Sequence, residues 1–519
     1  MARINTNIPS VIAQANLSRN NADLNTRLER LSTGLRINRG GDDPAGLIIS
    51  ERIRSDISGV SQGIKNSERA SSVISTTEAA LAEVNDLLNS IRGLLVESAN
   101  TGATSAAERE ANQLQIDSAI DSITRISNTA SFGGLRMLDG SLDYRISGMA
   151  TSAISLASVR SASLINNQAL QVDVDVIASA QFGSVYFQGS TSGTVLSTMN
   201  LEVAGPKGTQ ELRFLSGTSL TNVRDAINRL SEFTGVEAML INNDPLQGII
   251  FRSSEYGSDA FISVQRQNKP PTTSADTFVT YKAPDTASFT TGAPFPWVAM
   301  IGAGDLVLAD RDDGRDVAAI VNGNLATGKG LELRINSSSL AMRLMLNEDL
   351  ATTPGASVST FYITGGGSLF QLGPNVTPLQ QTAFGIMSVA ASRLGATQTD
   401  TGGVDFLSSI KMGGANDIEA SADRNDFTSA EAVLSQAIDD VTQLRGRLGA
   451  FERNVLDTNI RSLQSQFENL TASESAIRDA DFAAETSLLT RAQVLVSANV
   501  SSLQLANAQA QQVLQLLGG

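Results

Sequence analysis

The chain has 519 residues, of which 41% are hydrophobic and 18% charged, so it has enough apolar material for substantial cores and we do not expect global disorder. Its net charge of −15 argues against nucleic-acid or anionic-membrane partners, which would repel it. With no Cys and no His, it offers no disulfide, no thiolate or imidazole metal ligand, and no catalytic triad of the usual kind. Carboxylate-only hydrolysis and Mg²⁺ sites stay open.

The beginning of the sequence has no apolar core of signal-peptide length after Arg3. No stretch reaches the roughly 18–20 apolar residues that a membrane-spanning helix needs. If the protein leaves the cell, we expect it to use a route other than the general secretory signal.

Proline placement separates the ends of the chain from its middle. Only Pro9 and Pro44 precede Pro206, and none follows Pro378. All five Tyr residues and the single Trp lie in the middle. Because proline is excluded from helix interiors and aromatic residues favour strands, we predict helical ends and a β-rich middle.

The first predicted helix carries a leucine stripe with 3–4 spacing on one face. The stripe combines a seven-residue repeat with leucines in the alternate position and comprises Leu17, Leu24, Leu28, Leu31 and Leu35. After the break at Gly40 and Gly41, Asp43 and Pro44 have the character of an N-cap and a first helical residue. A second helix is therefore predicted to start there. Aliphatic residues at helical spacing predict further helices around 84–95, 116–126 and 434–448.

The middle, about 145–415, has strand patterns instead. Valines alternate with aspartates at 172–176, and residues 331–335 alternate likewise, so both segments are predicted strands. Residues 220–230 have helical spacing between strand-like runs at 212–215 and 248–251. Asp313 and Gly314 stand between apolar runs and predict a tight hairpin turn, and the Pro- and Thr-rich stretch 270–296 predicts a loop.

The last predicted helix carries a second heptad stripe, continued through Ala510. Its larger members are Leu489, Val496, Val500, Leu503, Leu514 and Leu517. The other faces of both terminal helices are rich in Asn, Ser, Gln and Ala. This pattern fits an ordinary coiled-coil pair inside one subunit. It also fits a helix pair packed among copies of itself, because small residues let helices approach on several sides. Periodicity alone does not decide between the two.

Three motifs resemble chemical sites, and each has a simpler explanation. Residues 323–330 have the glycine and lysine spacing of a P-loop, but Gly330 replaces the Mg²⁺-binding Ser or Thr and a strand pattern follows, so we predict a Gly-rich hairpin turn. The acidic run 310–314 lacks the ligand spacing of a calcium loop and is predicted to be a solvated turn. Asp479, Asp481 and Glu485 are placed as favourable charges near a helix N-terminus. We therefore predict no enzyme activity, no catalytic residue, no cofactor and no metal site.

Both terminal segments resemble bacterial flagellin. The N-terminal resemblance rests on RLSTGLRIN at 30–38, DDPAG at 42–46 and TEAAL at 77–81. The C-terminal resemblance rests on LRGRLG at 444–449, NLTA at 469–472, IRDADF at 477–482 and TRAQ at 490–493. Order and spacing match over about 1–140 and 420–519. Residues 217–264 resemble, more weakly, a small module inserted in flagellins and hook-associated proteins, and 370–395 resembles the family's return to the core.

The resemblance implies an α+β multidomain fold, with antiparallel coiled-coil helices from both termini, a helical core bundle and β-rich outer domains inserted in the middle. Residues 1–44 are then the N-terminal inner-tube helix and 471–519 its C-terminal partner. Residues 45–145 and 370–470 supply the core bundle. Residues 146–369 form the outer domains, within which 205–265 is a small inserted α/β module.

The implied function is that of a structural subunit that polymerises into the bacterial flagellar filament for swimming motility. Its partners are identical subunits, a flagellar export chaperone on the C-terminal helix, and the filament cap and hook–filament junction proteins, with no nucleic acid and no membrane. The chain is expected to be exported unfolded through the type III channel and to reside in the extracellular filament. Its termini, disordered in the free subunit, would pair on assembly through the two stripes.

One departure concerns innate-receptor recognition. Flagellins seen by the Toll-like receptor have a Gln-Arg-x-Arg-Glu-Leu pattern in the second helix; here Ser90 and Gly93 replace the first Arg and the Glu, while Arg92 and Leu94 remain. Loss of a guanidinium removes a multi-donor contact, so we predict weak receptor recognition through the surface formed by Ser90, Arg92 and Leu94. Gly93 within a helix is also expected to cost about 0.5–1 kcal/mol relative to Ala unless close packing needs it.

Other functions stay open on the sequence alone. A hook–filament junction protein shares both termini but forms a single ring. A grafted protease in the middle domain would need a site that lacks both His and Cys. An adhesin role for the outer domain would be carried by loops such as 270–296.

Overall fold

The structure, a computed structural model, describes residues 7–162, 168–268, 278–284, 295–337, 339–355, 358–399, 403–424 and 426–517. The side chains of Ala510 and of residues 513–517 lie outside this description. None of the described helices is both long and apolar enough to cross a membrane.

The helices of the described chain are concentrated towards its ends, as predicted. They are α1 (Ile8–Thr33), α2 (Pro44–Ala99), α3 (Ala106–Thr129), α4 (Leu220–Asn228), α5 (Ser231–Thr234), α6 (Trp297–Ala303), α7 (Glu348–Ala351), α8 (Ile418–Arg424), α9 (Thr428–Phe451), α10 (Asp457–Arg478) and α11 (Phe482–Leu517). Short 3-10 helices cover Ile241–Asn243, Pro378–Gln380 and Leu407–Ile410, and a π-helical turn, Glu452–Leu456, joins α9 to α10.

The strands lie between α3 and α8. They are β1 (Ser131–Phe132), β2 (Leu135–Arg136), β3 (Tyr144–Ser147), β4 (Ile154–Ala162), β5 (Leu170–Ala178), β6 (Ser184–Phe187), β7 (Met199–Gly205), β8 (Gly208–Phe214), β9 (Val236–Leu240), β10 (Ile249–Ser253), β11 (Phe261–Arg266), β12 (Thr280–Lys282), β13 (Val307–Leu308), β14 (Arg311–Asp313), β15 (Ala318–Val321), β16 (Asn324–Lys329), β17 (Glu332–Asn336), β18 (Leu340–Leu346), β19 (Ser359–Gly366), β20 (Ser368–Gln371), β21 (Gln381–Phe384), β22 (Thr397–Gln398) and β23 (Val404–Asp405). This arrangement confirms the α+β prediction.

Helix boundaries follow local capping chemistry. The Asp43 carboxylate accepts a hydrogen bond from the Gly46 amide at 2.9 Å, which confirms the predicted N-cap of α2. Ser105 and Glu108 form a reciprocal capping box at the start of α3. Each cap satisfies a backbone N–H group that has no partner inside its helix.

The chain divides into two compact units. The first comprises Met1–Ser71, Phe370–Gln381 and Phe451–Gly519, and the second comprises Ser72–Leu369 and Thr382–Ala450. In the first unit, α1 pairs with α11, while α10 packs against the early part of α2. There, Asn459 Nδ2 donates to Ser67 Oγ at 3.0 Å, and a Cβ at Gly63 would come within 3.2 Å of Leu463. Glycine thus lets α10 approach closely.

The helical part of the second unit comprises residues 72–99 of α2 together with α3, α8 and α9. It buries the side chains whose periodicity predicted these helices. The fully buried ones are Leu81, Val84, Leu88, Ile91, Leu95, Ile116, Ile120, Ile123, Leu434, Val441, Leu444 and Leu448. A polar tie fixes α3: Gln113 donates to the Ile410 carbonyl and accepts from the Ile418 amide, at 2.9 and 2.8 Å.

An eight-stranded antiparallel sheet follows in the same unit, in the order β3-β19-β5-β15-β16-β17-β18-β4. It includes both strands that alternation predicted, β5 and β17. Val172, Val174 and Val176 point into its core, and Asp173 and Asp175 point away from it. This hydrophobic core contains Phe361 and Leu344, each with no exposed surface.

Two further sheets share a second core with α4. One has the order β13-β12-β6-β10-β9 and the other β14-β11-β7-β8. Their core includes Phe251, Leu201 and Val223. The predicted α/β module, 205–265, lies inside this larger region. Its boundary at 205 falls at the turn of the β7–β8 hairpin, so β7 belongs with the module.

Two turn predictions have different outcomes. The hairpin at Asp313 and Gly314 is wrong: β14 pairs with β11, whereas β15 pairs with β5 and β16, so the two residues join strands of different sheets. The predicted hairpin turn at 323–330 is wrong for most of the segment, which forms the strand β16 with a tight turn at each end. The first of these turns uses the positive φ angles of Asn322 and Gly323. Within 270–296, β12 replaces part of the predicted loop, and residues 270–277 and 285–294 lie outside the described residues.

Candidate assembly interface

Capping residues determine where α1 begins and ends and where α11 begins. Asn7 accepts the Ser10 amide at 3.2 Å at the start of α1, and Gly34 ends α1 with a φ of 72°. At the start of α11, Asp481 accepts the amides of Ala483 and Ala484 at 2.9 and 3.1 Å. The prediction that Asp481 serves a helix N-terminus is therefore confirmed.

The two helices are antiparallel and are tied together at both ends. At one end, Asn7 Nδ2 donates to the Ala506 carbonyl at 3.0 Å, and Ser10 Oγ donates to Asn507 Oδ1 at 2.8 Å. At the other end, the Arg36 amide donates to the Arg478 carbonyl at 2.6 Å, and the Ala480 amide donates to the Gly34 carbonyl at 2.9 Å. These contacts fix the register of α1 against α11.

The seam between α1 and α11 alternates large and small side chains. Leu17, Leu24 and Leu31 are half-buried on α1, as are Leu489, Val496 and Leu503 on α11. A second seven-residue series on each helix fills the positions between these large residues, and its members are small or polar. They are Ala13, Asn20 and Arg27 on α1, and Glu485, Ala492, Asn499 and Ala506 on α11. Ala13, Ala492 and Ala506 are buried. Alanine at these positions permits close approach of the two backbones.

The alternate seam positions differ from the prediction. Leu28 is 46% exposed and Val500 is 40% exposed, so neither belongs to the buried seam of this pair. Leu35 is half-buried just beyond the end of α1, where it bridges to Asp479. The side chains of Ala510, Leu514 and Leu517 lie outside the described residues. The predicted stripes placed Leu28 and Val500 four residues after Leu24 and Val496. In the structure, the residues three positions after Leu24 and Val496 line the seam instead.

A buried carboxylate crosses the seam. Glu485 Oε1 lies 3.2 Å from Nη1 of Arg30, and Glu485 Oε2 lies 3.2 Å from Nη1 of Arg27. The side chain of Glu485 is 8% exposed. Burial disfavours the charge of Arg27, but hydrogen bonding to Glu485 and the attraction of Asp23 and Glu485 outweigh it, and the pKa of Arg27 is raised. The sequence pattern assigned Glu485 only to a helix N-terminus. Glu485 stands four residues before Leu489, and this spacing already places it on the same helix face as the stripe.

The loop between α1 and α2 is held by Asp42. Its Oδ2 accepts the amides of Arg39 and Asn38 at 2.9 and 3.0 Å. These two backbone hydrogen bonds favour the ionised form and lower the pKa of Asp42. The family-like segments 30–38 and 42–46 therefore form a structured corner that leads from one helix to the next.

Large apolar side chains remain on the outer faces of this helix pair. Val11 and Ile12 of α1 are 58% and 56% exposed, and Val494 and Leu505 of α11 are 62% and 63% exposed. Such surface within one small helical unit is typical of an interaction site. The single chain does not bury it.

The predicted receptor surface lies in the second unit. Ser90 and Arg92 are exposed and Leu94 is half-buried. Arg92 Nη2 lies 2.7 Å from Glu431 Oε1 of α9. A Cβ at Gly93 would meet no atom within 4 Å, so packing gives no reason for glycine there and its expected helix penalty stays.

Comparison with known proteins gives one family at both ends of the chain. The family model described as the bacterial flagellin N-terminal helical region matches residues 4–143, and the one described as the bacterial flagellin C-terminal helical region matches residues 432–517. Flagellin of Salmonella typhimurium is 28% identical, with 99% of each chain covered. B-type flagellin of Pseudomonas aeruginosa is 29% identical, also with 99% of each chain covered. Among solved structures, FliC from Burkholderia pseudomallei matches 74% of this chain and 99% of its own at 14% identity, with a TM-score of 0.24.

Proposed function

The chain belongs to the bacterial flagellin family and is a structural subunit of the flagellar filament, and we propose that subunits join through the apolar surface that α1 and α11 leave exposed. The observation that supports this mechanism is the pair of exposed faces carrying Ile12 and Leu505. Complete burial of one such side chain stabilises by about 1.5–3 kcal/mol. A neighbouring helix pair from an identical subunit would supply the missing cover.

The same arrangement supports export before folding. The paired helices come from opposite ends of the sequence, so the pair can form only after the whole chain is available. We infer that the subunit is secreted unfolded and assembles outside the cell. An export chaperone would cover the apolar side chains of α11 beforehand, and cap and junction proteins would meet the subunit at the filament ends.

Seeded growth tests the assembly mechanism. Purified subunits are added to short filament fragments, and elongation is followed by light scattering and negative-stain electron microscopy. We expect wild type to elongate, and a variant lacking 489–519 and the double variant Val494→Ser/Leu505→Ser to fail. A double variant with altered polar residues on the same helix, Gln493→Ser/Gln504→Ser, is the matched control and should elongate. Normal growth of Val494→Ser/Leu505→Ser would refute the role of this surface.

The alternatives differ in what they predict for this experiment. A junction protein would add one terminal ring and stop; this role is not favoured, since the flagellin relatives match over nearly the whole chain.

The family is one of structural proteins, and we propose that the chain has no catalytic role. Among the described residues, no group of three or more acidic side chains is placed to hold a metal ion. An adhesive role for the outer sheets would leave seeded growth intact.

Weak receptor recognition stays our prediction for the Ser90, Arg92 and Leu94 surface. The ion pair between Arg92 and Glu431 occupies the guanidinium that remains. A reporter-cell assay with purified monomer should show reduced potency, and Ser90→Arg should increase it. Full potency of the unaltered monomer would contradict the prediction.

A further inference from the structure

A cavity of about 80 Å³ lies inside the second unit, where β4, β18 and α9 meet the segment 385–396. This volume is several times the roughly 10–15 Å³ that admits one water molecule. It provides room for a small polyatomic ion. The cavity is separate from the terminal helices.

The lining of the cavity is positively charged in an acidic protein. Four arginines, including Arg160, Arg343 and Arg447, line it together with two aspartates, Asp143 and Asp440. The formal charge of these lining residues sums to +2, whereas the whole chain has a net charge of −15. Burial raises the pKa of both aspartates, and the neighbouring arginines act in the opposite direction.

Only part of this positive charge is matched by carboxylates. Arg343 has two carboxylate partners: its Nε lies 2.9 Å from Glu332 Oε2, and its Nη1 lies 3.4 Å from Asp440 Oδ1. Asp440 is also engaged by Gln436 Nε2 at 2.8 Å. These contacts leave Asp440 little capacity for a further guanidinium.

Arg160 and Arg447 contact neutral acceptors instead. Arg160 Nη2 donates to Gln443 Oε1 at 2.7 Å, and Arg447 Nη2 donates to the Arg160 carbonyl. The Arg447 guanidinium also lies over the ring of Phe384, 4.8 Å from its centroid. Within the described part of the chain, neither arginine forms an ion pair with a carboxylate. Burying a charged guanidinium group that has no ion-pair partner raises the free energy of the folded chain.

We propose that this cavity binds a small inorganic oxyanion of the phosphate or sulfate class, held between the guanidinium groups of Arg160 and Arg447. Guanidinium groups present planar pairs of N–H donors that match the oxygens of such anions. Burial, followed by repulsion from Arg160, lowers the pKa of Arg447 to about 10, so it still carries its charge at neutral pH. The bound anion would tie β4 to α9 and stabilise the second unit.

The test uses full-length monomer titrated with inorganic phosphate at constant ionic strength, with chloride as the replaced anion. Isothermal titration calorimetry and the thermal unfolding temperature are the two measurements. We expect saturable binding, and an unfolding temperature that rises with phosphate concentration. Arg447→Gln and Arg160→Gln should each weaken binding at least tenfold, whereas Arg311→Gln, with its exposed side chain on the outer sheets, should leave affinity unchanged.

Circular dichroism in phosphate-free buffer first establishes which variants are folded. If Arg447→Gln does not fold, Arg160→Gln provides the same comparison. Absence of a phosphate effect beyond that of chloride, or unchanged affinity in the folded cavity variant, would overturn the proposal. A bulky phosphomonoester, glucose 6-phosphate, distinguishes a free anion from a phosphorylated molecule. If it bound as tightly as phosphate, the assignment to a small inorganic ion would be overturned.

Discussion

In the eight-stranded sheet, apolar side chains are removed from water by the chain itself: Phe361 and Leu344 have no exposed surface. In the pair of α1 and α11, the buried seam positions are alanines and an ion group, while Ile12 and Leu505 stay largely exposed. A sheet that closes its own core is stable within one subunit. The α1–α11 pair buries little apolar surface, and under the proposed assembly mechanism identical subunits would cover the rest.

The largest expected effect concerns the sheet core. Phe361→Ala removes a fully buried ring from β19 and should lower the free energy of unfolding of the second unit by about 3–5 kcal/mol. Tyr362→Ala, at the adjacent and 42% exposed position, should cost about 1 kcal/mol or less. Urea denaturation of the monomer measures both. Equal losses would show that the sheet does not carry a self-sufficient core.

A second effect concerns the carboxylate across the helix seam. Glu485→Gln leaves Arg27 and Arg30 without their shared counter-charge and should weaken the pairing of α1 with α11 by about 1.5–3 kcal/mol. Asp23→Asn, which removes the exposed partner of the same Arg27, should change it by about 0.5 kcal/mol or less. Hydrogen exchange of α1 amides in assembled filaments measures the difference. Similar protection in the two variants would place Glu485 among ordinary surface charges.

A third effect concerns the small residues of the seam. Ala492→Leu forces a larger side chain between two closely packed helices and should destabilise the pair by about 1–3 kcal/mol. Ala498→Leu on an exposed face of the same helix keeps the seam intact and serves as the control. The dissociation temperature of filaments is the measurement. If Ala492→Leu stabilised the filaments, the seam would have room for a larger side chain. The inference that α1 and α11 pack closely at Ala492 would then be wrong.

The smallest effect concerns pH and the corner at Asp42. Hydrogen bonds from the amides of Arg39 and Asn38 lower its pKa in the folded chain, so its contribution to stability is present above the unfolded value of about 3.9 and is lost as pH falls below it. Asp42→Asn should therefore reduce stability at neutral pH, and its difference from wild type should shrink on acidification. Amide exchange of Asn38 and Arg39 from pH 3 to 7, roughly spanning the unfolded pKa, tests the sign. A difference that grows in acid would contradict this role.

Sequence alone predicted the helical ends, the β-rich middle, the Asp43 cap and strands β5 and β17, because proline exclusion, capping and side-chain periodicity act over a few neighbouring residues. Among the predicted stripe residues, six lie half-buried between α1 and α11: Leu17, Leu24, Leu31, Leu489, Val496 and Leu503. Leu28 and Val500 lie outside the buried seam of this pair, because a 3–4 repeat can continue at the third or fourth position and only the partner helix decides which one is covered. Their role in polymerisation stays a prediction. The positions of Ala13, Ala492 and Glu485 in the seam were not predicted, because small and charged residues do not extend an apolar repeat even where their spacing fits it.

Contacts between distant segments were decided by the tertiary structure. Asp313 and Gly314 have the composition of a hairpin turn, yet the strands on either side find partners in different sheets. Arg160 and Arg447 lie far apart in sequence and meet only because β4 packs beside α9. Local patterns determine which segments are helices and strands; the partner that each segment meets, and therefore which side chains share a seam or a cavity, follows from packing across the whole unit.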